Sequence, residues 1–247
     1  MGEKTGISWC DHTFNPWIGC KKVSDGCKNC YAERDNKRYK WIDKWGSIPK
    51  ITSETNWLKP KLWARSATHK ETIFCGSLCD FLDDRIDQET RTKLFDLIDI
   101  VGKTSRIEWL LLTKRPENIK KFMPSEWLGC PPDYVRLGVT GENQSEFQRR
   151  TVIMSMFWNG KNFLSCEPLL SNIEIYYPLM FNIDWIIAGA ESGPNHRVDN
   201  IDWYRNLRDQ CEEHKIPFFL KQMWINGILE KEPELDEKQW LQKPEDK

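Results

Sequence analysis

The sequence predicts an α/β protein built as a partial or near-complete (β/α) TIM-like barrel of about 6–7 parallel strands. Three observations carry that expectation. Short apolar runs recur along the 247 residues, each stopping abruptly at small and polar side chains. Stretches of helical periodicity separate them, the alternation that builds parallel sheets with crossover connections. The runs themselves lack polar alternation, as suits strands buried on both faces.

Taken in order, the first strand falls in ISWCDHTF. The second, in TIFCGSLCD, ends at Gly76, Ser77 and Asp80, and the third, in EWLLLTKRP, ends at Thr113, Lys114 and Arg115. VRLGVTGEN runs into Thr140, Glu142 and Asn143, and NFLSCEPL into Ser165 and Glu167. DWIIAGAESG ends at Glu191 and Ser192, and PFFLKQ at Lys221 and Gln222. Between them, Leu94, Leu97, Ile98 and Val101 have helical spacing, with Gly102 where that helix would stop. QSEFQRRTVIMSMFW and DWYRNLRDQCEEH give further helices. No Gly-x-Gly-x-x-Gly turn follows the first strand, which disfavours an open dinucleotide-binding sheet. In a barrel the polar strand ends gather at one mouth, where chemistry concentrates.

Composition bounds the setting. Hydrophobic residues make up 39% and charged residues 30%, as in a folded, soluble chain. No stretch approaches the roughly 18 apolar residues of a membrane span, and MGEKTGISW lacks an apolar signal core. A cytoplasmic protein with no membrane partner is expected. In that reducing setting nine cysteines read as buried thiols and metal ligands, not as a disulfide framework. Net charge is −1, yet residues 21–71 hold thirteen Lys or Arg against six Asp or Glu, an excess of seven. Trp41, Trp45, Trp57 and Trp63 lie in the same segment. Basic charge beside aromatics suits phosphates and unstacked bases; a solvated surface with its tryptophans in the core is the plainer reading. The expected organisation is one barrel domain over 1–228, with a basic, Trp-rich insertion around 34–71 and an acidic polar C-terminal tail over 229–247.

FNPWIGCKKVSDGCKNCYAER puts Cys20, Cys27 and Cys30 on the loop after strand one, spaced Cys-x6-Cys-x2-Cys. Three thiols are one too many for a disulfide and one too few for a closed zinc site. A [4Fe–4S] cluster on three thiolates keeps one iron open for a ligand, and Cys-x2-Cys recurs in cluster ligation. Gly19 and Gly26 precede the first two cysteines and allow a tight curl. Zinc fits the spacing equally, with Cys10 or His12 as the fourth ligand.

This segment resembles the motif of the phage-associated three-Cys-motif proteins, a family related to radical S-adenosylmethionine (radical SAM) enzymes. TKRPENI, GVTGENQ, SCEPLL, AGAESGPNHR and PFFLKQ resemble that family's strand-end signatures, from about residue 6 to about residue 224. The resemblance implies a radical SAM-like barrel, a [4Fe–4S] cluster on Cys20, Cys27 and Cys30, and S-adenosylmethionine on the open iron. It implies one-electron cleavage of the sulfonium, fed by a flavodoxin- or ferredoxin-like electron donor, and hydrogen abstraction from a substrate by the 5′-deoxyadenosyl radical. Two features differ from most radical SAM enzymes. Six residues instead of three separate the first two cysteines, and Asn29 stands where an aromatic residue commonly precedes the third. Cys75-Gly76-Ser77 is a loose match to the glycine-rich motif after strand two.

Carried over, Tyr31 faces the adenine or packs under the loop. Gly76, Ser77 and Asp80 meet the cofactor's amino group, with Ser77 alternatively capping the next segment. Thr140, Glu142 and Asn143 bond the ribose, or cap a turn and a helix. Lys114 and Arg115 bind a carboxylate or phosphate of the substrate, or form a surface pair before a helix opened by Pro116. Glu167 and Glu191 end buried strands and require partners, which Lys221 and Arg197 can supply, in a substrate pocket or as structural pairs. His196 exchanges a proton near substrate or is a plain loop histidine. Cys75 and Cys79 flank the Gly76-Ser77 turn and read as buried thiols, or alternatively as a second metal site. The basic segment and the phage association point to a nucleic acid or nucleotide as substrate. The rival reading is a non-catalytic module that binds nucleic acid or protein, its N-terminal loop stabilised by zinc or a cluster.

Overall fold

Each apolar run expected as a strand is a strand in the computed structural model, which describes residues 5–175 and 183–244. Residues 1–4 of the expected domain and 245–247 of the expected tail lie outside the described residues. In chain order the strands are β1 (His12–Phe14), β2 (Trp17–Ile18), β3 (Lys50–Ile51), β4 (Glu71–Cys75), β5 (Ile107–Thr113) and β6 (Val135–Thr140). There follow β7 (Asn162–Cys166), β8 (Ile186–Gly189), β9 (Phe218–Ile225), β10 (Ile228–Lys231), β11 (Glu234–Leu235) and β12 (Lys238–Gln239). The helices are α1 (Tyr31–Tyr39), α2 (Glu54–Ser66), α3 (Gln88–Thr104), α4 (Ile119–Phe122), α5 (Ser125–Gly129), α6 (Gln144–Phe157) and α7 (Ile201–Glu213).

One eight-stranded sheet has the order β1-β4-β5-β6-β7-β8-β9-β10. Its neighbours are parallel from β1 to β9, and β10 folds back antiparallel on β9. The edges β1 and β10 do not pair, so the barrel is partial. Alternation along the strands sorts the two faces. Ile73, Trp109, Leu111, Leu137, Val139, Leu164, Ile186 and Leu220 join the large core under the helices. Phe74, Leu110, Phe163, Ile187 and Phe219 face the other way and pack around Trp9 and Trp185. Four inter-strand steps separate β4 from β8, about 19 Å across a flat sheet. Yet the ring of Trp9 lies 4.6 Å from Phe74 on β4 and 6.2 Å from Trp185 at the foot of β8. The sheet therefore curls around Trp9 into a half-barrel. Arg136, on the inner face of β6, sits 3.0 Å from Glu108 and 3.5 Å from Asp184 near the strand N-termini, leaving the other end to the site.

Two sequence expectations change. Gly102 does not end its helix; α3 runs on to Thr104. A Cβ at Gly102 would stand 2.1 Å from the Tyr134 ring, so this glycine makes room for a neighbour inside the helix. The acidic C-terminal segment is packed: β10, β11 and β12 form, and Leu235 and Trp240 enter the core. Among the described residues no helix is long and apolar enough to cross a membrane.

The curl depends on close contact between β6 and β7, where a Cβ at Gly138 would come within 2.4 Å of the Phe163 ring. Gly138→Ala is expected to cost about 1–3 kcal/mol of stability by overpacking, read from urea unfolding. Gly129→Ala, which meets nothing within 4 Å, is expected to stay within about 0.5 kcal/mol of the wild type. Equal midpoints for the two variants would contradict the packing described.

Candidate functional site

The alternation that puts Leu112, Phe163 and Phe219 inside also sends the next residues of like parity to the inner mouth. Lys114, Thr140, Glu167 and Lys221 therefore line one cavity, with Trp9, Phe74 and Leu112 as its apolar floor. Gly76, Ser77, Asp80 and Arg115 contribute from the adjoining strand ends, and Cys20, Cys27, Cys30 and Tyr31 from the loop above. The cavity has a volume of about 140 Å³, below the roughly 300–1,000 Å³ of drug-sized small-molecule sites, and it opens to solvent.

What brings the cysteine loop to this position is a set of charged groups at the strand ends. After β5, buried Arg115 pairs with Asp80 at 2.9 Å, donates to the Lys21 carbonyl at 2.8 Å and reaches the Cys20 Sγ at 3.6 Å. Asp80 is held in turn by the Thr113 hydroxyl at 2.8 Å and the Lys114 amide at 3.0 Å. After β6, fully buried Glu142 accepts from the Gly26 amide at 3.2 Å and from the Ser24 hydroxyl, while Arg150 of α6 pairs with it at 2.5 Å. A Cβ on Gly26 would lie 2.9 Å from the Glu142 carboxyl carbon, so only glycine lets the loop come this close. After β8, Glu191 accepts from the Asn29 side chain at 2.9 Å and pairs with Arg197 at 2.5 Å. Arg197 also donates to the Asp25 carbonyl at 3.0 Å. On the β4 side, the Tyr31 hydroxyl donates to the Ser77 carbonyl at 2.6 Å and the Gly19 amide to the Leu78 carbonyl at 3.0 Å. Gly76 takes φ +102°, a conformation that favours glycine.

Burial works to raise the Glu142 carboxyl, but Arg150, Lys114 and the Ser24 hydroxyl outweigh it and hold the group below its ordinary value. Glu191 is likewise opposed by burial and lowered overall by Arg197 and Asn29. Burial, with Asp80, pushes the Cys20 thiol up to about 12 against the opposing pull of Arg115. Burial also raises Cys30. Both thiols therefore hold their protons at neutral pH until something stabilises the thiolate.

The predicted residues divide into three groups. Lys114, Glu167 and Lys221 stand on the cavity wall, with Glu167 and Lys221 paired at 2.6 Å and Lys114 donating to the Thr140 hydroxyl at 3.0 Å. Glu142, Glu191 and Arg197 are not among the cavity-lining residues and bind the cysteine loop instead. Asn143 caps α6, accepting from the Glu146 amide at 2.9 Å, and His196 stacks on Trp224 with ring centroids 3.6 Å apart. Neither Cys10 nor His12 lines the cavity; His12 bonds Glu71 at 2.8 Å and stacks on Trp63. Sequence reasoning missed Ser24 and Arg150, and read Cys79 as a buried thiol or part of a second metal site; it is a fourth thiol on the cavity wall. Arg150 carried a signal. It shares the buried face of α6 with Phe147, Thr151 and Met154, and an arginine at such spacing requires a buried acid.

Among the described residues no group of three or more His, Cys, Asp or Glu side chains stands close enough to hold a metal ion. The loop thiols share a cavity wall without that convergence. A family model described as "Protein of unknown function (DUF5131)" matches residues 4–244. No curated protein and no solved structure matches the chain.

The tethers set a pH dependence whose sign follows from the lowered carboxyls. A carboxyl with a depressed folded pKa contributes stability that is complete above its ordinary value, 4.5 for Glu142, and is lost as pH falls through the folded one. Protection of the amides of residues 24–30, measured against their intrinsic exchange rates, is thus expected to fall as pH drops below about 4.5. Glu142→Gln is expected to release the same amides at neutral pH and to cost on the order of 3 kcal/mol, the scale of a broken buried pair. Unchanged protection in that variant would contradict the tether.

Proposed function

We propose that this chain, which belongs to the DUF5131 family of proteins of unknown function, is a radical SAM-type enzyme. In this reading Cys20, Cys27 and Cys30 hold a [4Fe–4S] cluster, and the cavity beside them takes S-adenosylmethionine and substrate. The observation that carries it is the joint position of the three thiols and the polar strand ends on one cavity at the C-terminal edge of a parallel sheet. Such a cluster, when bound and reduced, supplies the electron that cleaves the sulfonium of S-adenosylmethionine.

The chain's own residues have separable tasks. The three thiols shed their protons as they ligate, and the Arg115 N–H directed at Cys20 Sγ at 3.6 Å stabilises negative charge on that sulfur. Lys114 donates to the neutral Thr140 hydroxyl and acts on Glu142 only at longer range, so its ammonium is available to the anionic end of a ligand. Glu167 and Lys221 neutralise each other at 2.6 Å and present a polar but uncharged stretch of wall. The floor of Trp9, Phe74 and Leu112 keeps water from the bottom of the cavity.

Cys79 favours a second reading. A fourth thiol on the same wall would close a zinc site or a cluster and leave no open position, as suits a non-catalytic binding module. Anaerobic reconstitution followed by iron, sulfide and zinc analysis separates the two. About four irons and four sulfides per chain are expected, with 5′-deoxyadenosine formed from S-adenosylmethionine under reduction. Cys27→Ala is expected to lose both the cluster and the cleavage, and Cys79→Ser to keep both. Zinc without iron, or loss of the cluster in Cys79→Ser, would turn the reading to the second.

A further inference from the structure

The stretch that leaves α1 carries charge and aromatic surface that the cavity does not use. Lys37, Arg38, Lys40 and Lys44 are exposed, and among the described residues none of them enters an ion pair. Between them Tyr39, 54% exposed, stacks on Trp41 with ring centroids 5.2 Å apart and planes 20° from parallel. The Arg38 guanidinium lies 5.1 Å from the Tyr39 ring centre. Elsewhere in the basic segment the tryptophans are absorbed: Trp57 is in the core and Trp63 stacks on His12.

This surface is held in place. The Asn36 side chain bonds the Ile42 backbone in both directions, at 2.9 and 3.0 Å. Ile42 is buried against Gly19, next to Cys20. A few residues on, Arg85 binds the Gly46 carbonyl at 2.8 Å, and Trp45 is itself part of the cavity wall. The nine residues of α1 span about 13 Å, so the Tyr39–Trp41 pair stands a few nucleotides from the thiols.

We infer that this surface binds single-stranded nucleic acid and leads it to the cavity, with phosphates on the four cations and unstacked bases on Tyr39 and Trp41. Cations without ion-pair partners beside an exposed tyrosine stacked on a half-buried tryptophan are what a flexible polyanion with free base faces requires. A duplex keeps its base faces inside the stack and cannot use the rings. The role of the cavity in this inference rests on the enzyme reading; the binding itself does not.

The test is fluorescence anisotropy of the full chain with labelled single-stranded DNA, single-stranded RNA and duplex DNA, each of about 12 nucleotides, across a salt series. Binding of either single strand is expected, with a slope of log affinity against log salt of about −3, from roughly 0.7 per phosphate neutralised. Duplex is expected to bind at least about tenfold more weakly. Tyr39→Ala with Trp41→Ala should lose about tenfold or more while iron content stays at the wild-type level. Lys40→Glu with Lys44→Glu, at two exposed positions, should flatten the salt slope. Affinity indifferent to salt, duplex bound as tightly as single strand, or wild-type affinity in both variants would overturn the inference. Failure of the wild type to load iron, with oligonucleotide binding as described, would sink the enzyme reading and leave this surface standing. A loaded protein that binds neither single strand would do the reverse.

Discussion

Three charged groups, Arg115, Glu142 and Glu191, each just past the end of a parallel strand, hold the cysteine loop over the mouth of the sheet. Each also has a partner of opposite charge on the barrel side: Asp80, Arg150 and Arg197. A buried ion is tolerated only when paired and when its remaining hydrogen-bonding capacity is met. The loop meets that remainder, with the Lys21 carbonyl on Arg115, the Ser24 hydroxyl and Gly26 amide on Glu142, and the Asn29 amide on Glu191. Loop and barrel therefore stabilise each other. A polar loop of this composition has no apolar face with which to cover a cavity, and charge takes the place of hydrophobic packing.

The same constraint explains why the site is asymmetric. On the cavity wall Lys114 bonds the neutral Thr140 hydroxyl and acts on Glu142 without a direct ion pair among the described residues, and Glu167 and Lys221 cancel. The cavity thus presents the Lys114 cation, an apolar floor and a rim of thiols. On the proposed reading those three features divide the work among an anionic group, a dry interior and a metal cluster. The Tyr39–Trp41 surface lies outside the tethers, on the far end of the helix that starts at the third cysteine, and the Asn36 bond to Ile42 ties it back to that helix.

Much of this was legible in the sequence because two simple periodicities apply. Apolar runs ending in polar residues are strands, and period-two alternation sends Lys114, Thr140, Glu167 and Lys221 to the same face as the inner aromatics. The cost of an unpaired buried carboxylate predicts partners for Glu167 and Glu191, and Lys221 and Arg197 are those partners. Periodicity stops at the strand's last residue. Glu142 lies in a turn, where no alternation decides between cavity and loop, so sequence leaves ribose binding and a turn or capping role both open. Gly102 carried a helix-stop signal, but the reason for a glycine there is a ring from Tyr134, distant in sequence. Leu235 and Trp240 are two apolar side chains in a polar segment, too sparse for a pattern, and only tertiary contact reveals their burial.

The strand-end charges hold three loop thiols on one cavity wall, and on the proposed reading those three close on a cluster without Cys79. Anomalous scattering at the iron edge from crystals of the anaerobically reconstituted protein tests it directly. An iron peak inside the cavity, bonded to the sulfurs of Cys20, Cys27 and Cys30 alone, is the expected result. A peak away from the loop, or one whose coordination is completed by Cys79, would contradict it.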